Sequence, residues 1–374
     1  MTRLTPHATL PLRLFSHAHG DSVGRSRTWP DGDRRPLAHL DPHRNSCAHT
    51  SGRTQVFQVD PAGAAPRLCT EGTRQGRYFM KHWIIGLDPN ERYKGAVDFA
   101  RMWNDRAAGD QVPKLSALHV HTDRWHAYLS HAAVYEPALT RLARPAPPSF
   151  DDVRQALPTV DIKHVEADVI ETTMEEAAAA APDTGLIIGR KVNRHDVSAV
   201  RLGTVARRLV RRLAQPLVVV PPDWRWKADE PGPIVVATDL EASSVSAIHF
   251  AAKIAKSLSL PLTAVHVLPG LDRHIHEATD RKQLDEAREQ LVAQAQEHIR
   301  RFLAEHSVEA DRVVAVPGDA IQRLIEFAED LKPSLIVCGS KRLTFAERIV
   351  QASAGSTLAA SAPCPVAIVP PTDN

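Results

Sequence analysis

Nowhere does the chain run for the roughly 20 consecutive apolar residues that a membrane-spanning helix needs, so a helical bilayer protein is excluded. The basic N-terminus also lacks the continuous apolar stretch of a secretory signal. Cysteine is scarce. Cys47, Cys69, Cys338 and Cys364 form neither a metal-binding pair nor a disulfide framework; Cys338 and Cys364, in or beside predicted buried strands, read as small core hydrophobes, and a reducing cytoplasm is the default. A Walker-type loop, a nucleophile elbow and a His-Glu-x2-His motif are missing, which removes the usual sequence signs of nucleotide hydrolysis, acyl transfer and zinc chemistry. Lysine is absent from residues 1–79, which hold 11 Arg against 6 acidic residues. The rest of the chain carries 35 basic and 38 acidic residues, so the net charge of +2 divides into +5 and −3. By itself that balance argues neither for nor against a polyanionic partner. Arg207, Arg208, Arg211 and Arg212, with no aromatic residues between them, read as a solvated helix face rather than a nucleic-acid surface.

Residues 1–79 keep no helical or strand period and are rich in Pro, Arg, His, Gly, Ser and Thr. They are expected to form a disordered basic extension, dispensable for folding, with Met80 a possible true start. Order begins just beyond. His82 to Asp88 reads as a strand ending in Asp, and a helix follows with Ala96, Phe99, Ala100 and Trp103 on one face. Leu115 to His121 is the next strand. An irregular stretch then runs through Pro145, Pro147 and Pro148. Ile162 to Val169, Gly185 to Gly189 and Leu217 to Val220 read as strands, with helices over Thr173–Ala181 and Val205–Leu213.

The same order then recurs. Strands are expected at Pro233–Asp239, Leu262–Leu268, Arg312–Val316, Leu335–Cys338 and Val366–Val369, and helices at Ser243–Leu258, Thr279–His306, after Pro317-Gly-Asp, and over Ala352–Ala360. Landmarks repeat at nearly one spacing: 151 residues from Asp88 to Asp239, 147 from His119 to His266, 150 from Gly189 to Gly339 and 149 from Thr204 to Ser353. An internal duplication follows. Alternating helices and wholly apolar strand runs imply an α/β fold of two tandem doubly wound domains, with parallel sheets covered by helices on both faces. The expected boundaries are 80–223 and 233–374, joined by a linker at 224–232. Because each half ends in a short apolar strand, the two halves are expected to pair those strands as an intrachain pseudo-dimer, with a homodimer of such chains a further expectation.

The last stretch, from Ser334 to Pro370, carries a resemblance. A buried strand ending in Gly339-Ser340, a basic loop, a small residue and Ser353 before a helix, and Ala-Pro-Cys-Pro-Val ahead of a final strand resemble the end of a universal stress protein domain. The resemblance covers residues 81–372 and implies five-stranded sheets in the order 3-2-1-4-5. It implies adenine nucleotide, ATP, bound at the carboxyl ends of the strands. Asp88 and Asp239 would contact the adenosine, Val120 and Val267 would meet the adenine through their backbones, and Gly189, Gly203, Thr204, Gly339 and Ser353 would cradle phosphate. The family's loop reads Gly-x2-Gly-x9-Gly-Ser/Thr. Here Val192 and Arg342 stand at the second Gly, Ala352 stands at the third, and the spacer before Gly203 is one residue longer. Arg190, Lys191, Lys341 and Arg342 could lend charge to the loops or simply be solvated. Asp88 and Asp239 could equally cap helices, and His119 and His266 read as packed, hydrogen-bonded side chains. Because Gly203-Thr204 is retained, the first half is expected to be the better site. The leading function is a cytoplasmic stress-response module that binds ATP and signals by its occupancy to a protein partner. An interaction scaffold without nucleotide is the alternative, and an ATPase ranks third. No metal site is expected.

Overall fold

Short runs in which nearly every residue is apolar can be buried on both faces, and each of them here becomes a strand of one sheet. The computed structural model describes residues 80–122, 148–191, 202–212, 214–269, 281–340 and 354–371. In the first half, β1 (His82–Leu87), β2 (Lys114–His121), β3 (Asp161–Glu166), β4 (Thr184–Gly189) and β5 (Leu217–Val220) alternate with α1 (Lys94–Arg106), α2 (Asp151–Ala156), α3 (Ile170–Ala179) and α4 (Thr204–Arg212). In the second half come β6 (Ile234–Ala237), β7 (Leu262–Leu268), β8 (Arg312–Pro317), β9 (Leu335–Gly339) and β10 (Val366–Val369). Their helices are α5 (Val245–Leu258), α6 (Arg281–Glu305), α7 (Ala320–Leu331) and α8 (Ala354–Ser361).

The ten strands lie in the order β3-β2-β1-β4-β5-β10-β9-β6-β7-β8. Each half therefore has the expected order 3-2-1-4-5, doubly wound, and within each half every pairing is parallel. The halves join where β5 and β10 pair antiparallel, with Val366 opposite Val219 and Ile368 opposite Leu217. Every residue of these two strands is buried. Left unpaired, each would be a sticky apolar edge.

The strand pleat divides the core into two layers. Trp83, Ile85 and Leu87 belong to the layer that also takes in α1, α2, α5 and α6, while Ile84, Leu186 and Ile188 belong to the layer that takes in α3, α4, α7 and α8. The first layer runs unbroken across the junction. Trp83, fully buried, stacks on Trp103 at 5.5 Å between ring centroids and meets Phe250 of the second half edge-on at 6.2 Å. Gly185 leaves the room this needs, since a Cβ there would lie 2.4 Å from the Trp83 ring.

The helices start and stop for identifiable reasons. At α7 the Asp319 carboxylate accepts from the backbone N–H groups of Ile321 and Gln322, at 3.1 and 3.0 Å, satisfying two of the helix's free donors. Ser259 ends α5 in the left-handed conformation, φ 51°. The six-residue α2, not foreseen from sequence, follows Phe150, which is itself left-handed at φ 49°. The linker is tied down on α1. The Trp226 indole donates to Asp105 at 3.0 Å, Arg225 lies 3.5 Å from Asp98, and Trp224 packs on Phe99. Among the described residues no helix is long and apolar enough to cross a membrane.

Candidate functional site

In an open parallel sheet the crevice beyond the carboxyl ends of the strands is where ligands bind. Register decides which residues reach that edge. Leu87 is paired with His119 and Gly86 with Ile188, so Asp88, Val120 and Gly189 share the carboxyl edge of the first half. Ala237 is paired with Val265 and Cys338, which sets Asp239, Val267 and Gly339 along the carboxyl edge of the second. Gly203 and Thr204 open α4. Ser353, with Val192, Lys341, Arg342 and Ala352, lies outside the described residues.

The two aspartates use their carboxylates locally. Asp88 accepts from the Asn90 N–H at 2.7 Å. Asp239 accepts from the Glu241 N–H at 3.1 Å and from the Ser243 hydroxyl at 3.3 Å. Both form the short Asx-type turn that leads from strand to helix. The second loop is knitted more densely, because the Thr238 and Ser244 hydroxyls bond at 2.8 Å and Ser244 donates to the Glu241 carbonyl. The two histidines are matched across the repeat. His119 Nδ1 sits 3.3 Å from the Leu87 carbonyl, and His266 Nδ1 sits 2.8 Å from the Thr238 carbonyl. Each ties the end of a second strand to the end of a first strand, which is the packed role read from sequence.

The loop glycines divide by cause. A Cβ on Gly189 would lie 1.9 Å from the Arg92 carbonyl oxygen, so close approach of the α1 entry to β4 requires that glycine. Gly339 is similar but looser, with the Ser243 carbonyl 2.9 Å from the position of a Cβ. Among the described residues, a Cβ on Gly203 would have no heavy atom within 4 Å. Packing therefore accounts for Gly189, whereas no packing within the described residues calls for a glycine at 203.

Arg190 departs from both readings given by the sequence. It is neither solvated nor aimed at a phosphate position: only 8% exposed, its guanidinium donates to the carbonyls of Ala360 and Ala362 at the end of α8, the latter at 2.8 Å. Over the carboxyl ends of β2 and β3 in the first half, buried Phe150 packs against His119 at 5.1 Å and against Tyr93 at 5.3 Å. The Tyr93 hydroxyl donates to Asp152 at 3.0 Å, and burial followed by that carboxylate raises its pKa. None of these three side chains was singled out from sequence for the place it holds. For Arg190 a signal existed, since the repeat sets it against Ser340, a mismatch of charge at matched positions.

His119 also sets a pH dependence. Burial lowers its pKa from 6.5, and the neighbouring His164 and His121 lower it further, against the opposing effects of the Leu87 carbonyl and Asp88. A histidine depressed in the folded state stays neutral there while the unfolded chain takes up a proton. Its contribution to stability is complete above about pH 6.5 and is lost as pH falls towards the folded value. Denaturant midpoints of the wild type are expected to fall between pH 7 and pH 5, and His119→Phe should flatten part of that slope. An unaltered slope in the variant would assign the loss to other groups.

With this geometry in place, the likeness to known proteins is specific. Residues 231–370 match the family model described as the universal stress protein family. These residues belong to the universal stress protein family. No curated protein matched the chain. Among solved structures, a universal stress protein from Archaeoglobus fulgidus DSM 4304 is 13% identical, with TM-score 0.51 over 78% of this chain and 99% of that one. A functionally unknown protein from Pseudomonas aeruginosa PAO1 is 17% identical, with TM-score 0.50 over 79% of this chain and 94% of that one. At such identities the shared property is the fold. It extends over both halves of the chain, beyond the universal stress protein match in the second.

Proposed function

We propose that the chain is a tandem universal stress protein that binds adenine nucleotide, ATP in the first instance, and acts in the cytoplasm as a regulatory module rather than a catalyst. The observation that carries this reading is the arrangement at the carboxyl edge of β6, β7 and β9 in a domain of that family. There the register sets Asp239, Val267 and Gly339 along one edge, with the leading ends of α5 and α8 following from that edge, the place where a ligand of an open parallel sheet would bind. Asp88, Val120, Gly189, Gly203 and Thr204 are the corresponding candidates in the first half. The scaffold alternative draws support from one specific point: Asp88 and Asp239 already have partners within their own loops, and Gly189 is accounted for by packing.

Nucleotide released on denaturing freshly purified protein should be adenylate in kind. ATP titrated calorimetrically against the protein freed of ligand should bind, and Asp239→Ala should weaken it by at least about tenfold, the equivalent of 1.4 kcal/mol. No released nucleotide and no heat of binding would favour the scaffold.

A further inference from the structure

The antiparallel junction rotates one half end for end relative to the other within the plane of the sheet, so matched helices stay on the same face. The carboxyl end of β4 therefore comes to lie beside the end of α8, where β10 is about to begin. From this position Arg190 closes the last turn of α8 through Ala360 and Ala362. On the opposite layer of the sheet, Arg106 does the same to α5. Its Nε donates to the Leu258 carbonyl at 2.8 Å and its Nη2 to the Ser259 carbonyl at 3.2 Å. A cation at a helix C-terminus meets the negative end of the helix dipole and satisfies carbonyls that have no partner within the helix. Both clamps run in one direction, from the first half to the second. At the matched repeat positions the second half has Ser257, 151 residues after Arg106, and Ser340, 150 residues after Arg190. Ser257 donates one bond, at 3.3 Å, to the Gln111 carbonyl. Ser340 lines a small cavity with Leu209, Val210, Gln215 and Ile368. Neither serine brings a charge to the helix it faces.

The helices held in this way are also the two that open at the second half's candidate site. α5 follows the Asp239 loop, and α8 precedes β10 on the crossover from β9. We infer that the first half serves as a clamp: Arg106 and Arg190 are positioning residues that fix the trailing ends of α5 and α8, so that ligand affinity in the second half depends on side chains of the first. In the first half the residue after β4 is committed to this clamp, and Phe150 packs on His119 of β2 and His164 of β3 with Tyr93 against it. Nucleotide therefore goes to the second half, the reverse of the order expected from Gly203-Thr204. The inference rests on the nucleotide reading for its ligand but not for its mechanical content.

The test uses the full chain with Arg190→Met, Arg106→Met, both together, and Arg190→Lys, read by ATP calorimetry and by amide hydrogen exchange. The wild type should bind one ATP. Arg190→Met should weaken it about five- to tenfold, the lower range of measured site-to-site couplings, and the double change should weaken it further. Arg190→Lys should recover part of the loss, because an ammonium can reach one of the two carbonyls. Exchange should rise within 354–362 for the Arg190 changes and within 245–259 for the Arg106 change, with β1 to β4 unaltered. A wild-type affinity in the double variant, or two ATP per chain, would overturn the inference. Should Arg190→Met fail to fold, Arg106→Met and Arg190→Lys still decide it by the same affinities. Should the wild type bind no ATP, the nucleotide reading falls by itself. The clamp then stands if exchange rises only in the released helix, and it falls if exchange is unchanged.

Discussion

Replacing Trp83 with alanine is expected to cost about 3–5 kcal/mol, the range for emptying a large aromatic from a core. The side chain is fully buried, and its contacts are not confined to its own half. It stacks on Trp103, and it touches Phe250 of the second half. Its removal leaves a void under both α1 and α5, in a layer that is continuous across the β5–β10 junction. The loss should therefore appear in one cooperative unfolding transition reported alike by probes in either half. The Trp83 indole N–H has no hydrogen-bond partner among the described residues, and an unpaired buried donor carries a penalty of about 1–3 kcal/mol. Trp83→Phe, which keeps most of the ring and discards that donor, should be far milder than Trp83→Ala. Urea titration of the three proteins measures this. A loss below about 1.5 kcal/mol for the alanine variant, or two separate transitions, would show that the aromatic layer does not bind the halves together.

The second large effect concerns Gly189. Valine there would drive a Cβ to within 1.9 Å of the Arg92 carbonyl oxygen and 2.5 Å of its carbonyl carbon. Both sides of that contact are backbone: β4 is hydrogen-bonded between β1 and β5, and the Arg92 segment leads into α1. Neither can give way as a flexible side chain would, so the cost should exceed the 1–3 kcal/mol typical of overpacking, with about 3 kcal/mol as the floor. Gly203→Val is the companion. Among the described residues it meets no heavy atom within 4 Å, and its stability should stay within about 0.5 kcal/mol of wild type. Thermal melts without ligand separate the two. A Gly189→Val protein that melts like the wild type would return this glycine to a ligand-binding role. A Gly203→Val protein that melts far lower would give Gly203 a packing role.

These contrasts show where the sequence was legible. Strands such as Leu217–Val220 and Val366–Val369 stood out because burial on both faces leaves no polar position to interrupt the run. The repeat placed Asp88 with Asp239 and His119 with His266, and the structure gives each pair matching backbone partners at the ends of the strands. The helix Asp151–Ala156 was invisible because six residues hold too little of a 3.6-residue period, and because its entry depends on Phe150 taking a left-handed conformation. Arg190 was misread for a different reason. Its acceptors lie 170 and 172 residues away, and only the pairing of β5 with β10 brings them near. Local pattern can suggest that a loop is basic, but not what will be folded against it.

The covalent join of the two halves has a consequence for symmetry. Were the same pair of domains assembled from two identical chains about a two-fold axis, every residue at the interface would occur twice. An arginine closing a helix across such an interface would face a second arginine doing the same. Within one chain that constraint is lifted, and Arg106 can stand opposite Ser257, as Arg190 stands opposite Ser340. The pairing is also intramolecular, so dilution does not part the halves as it would a dimer of separate chains. One half can then give up its own ligand chemistry and specialise in holding the other.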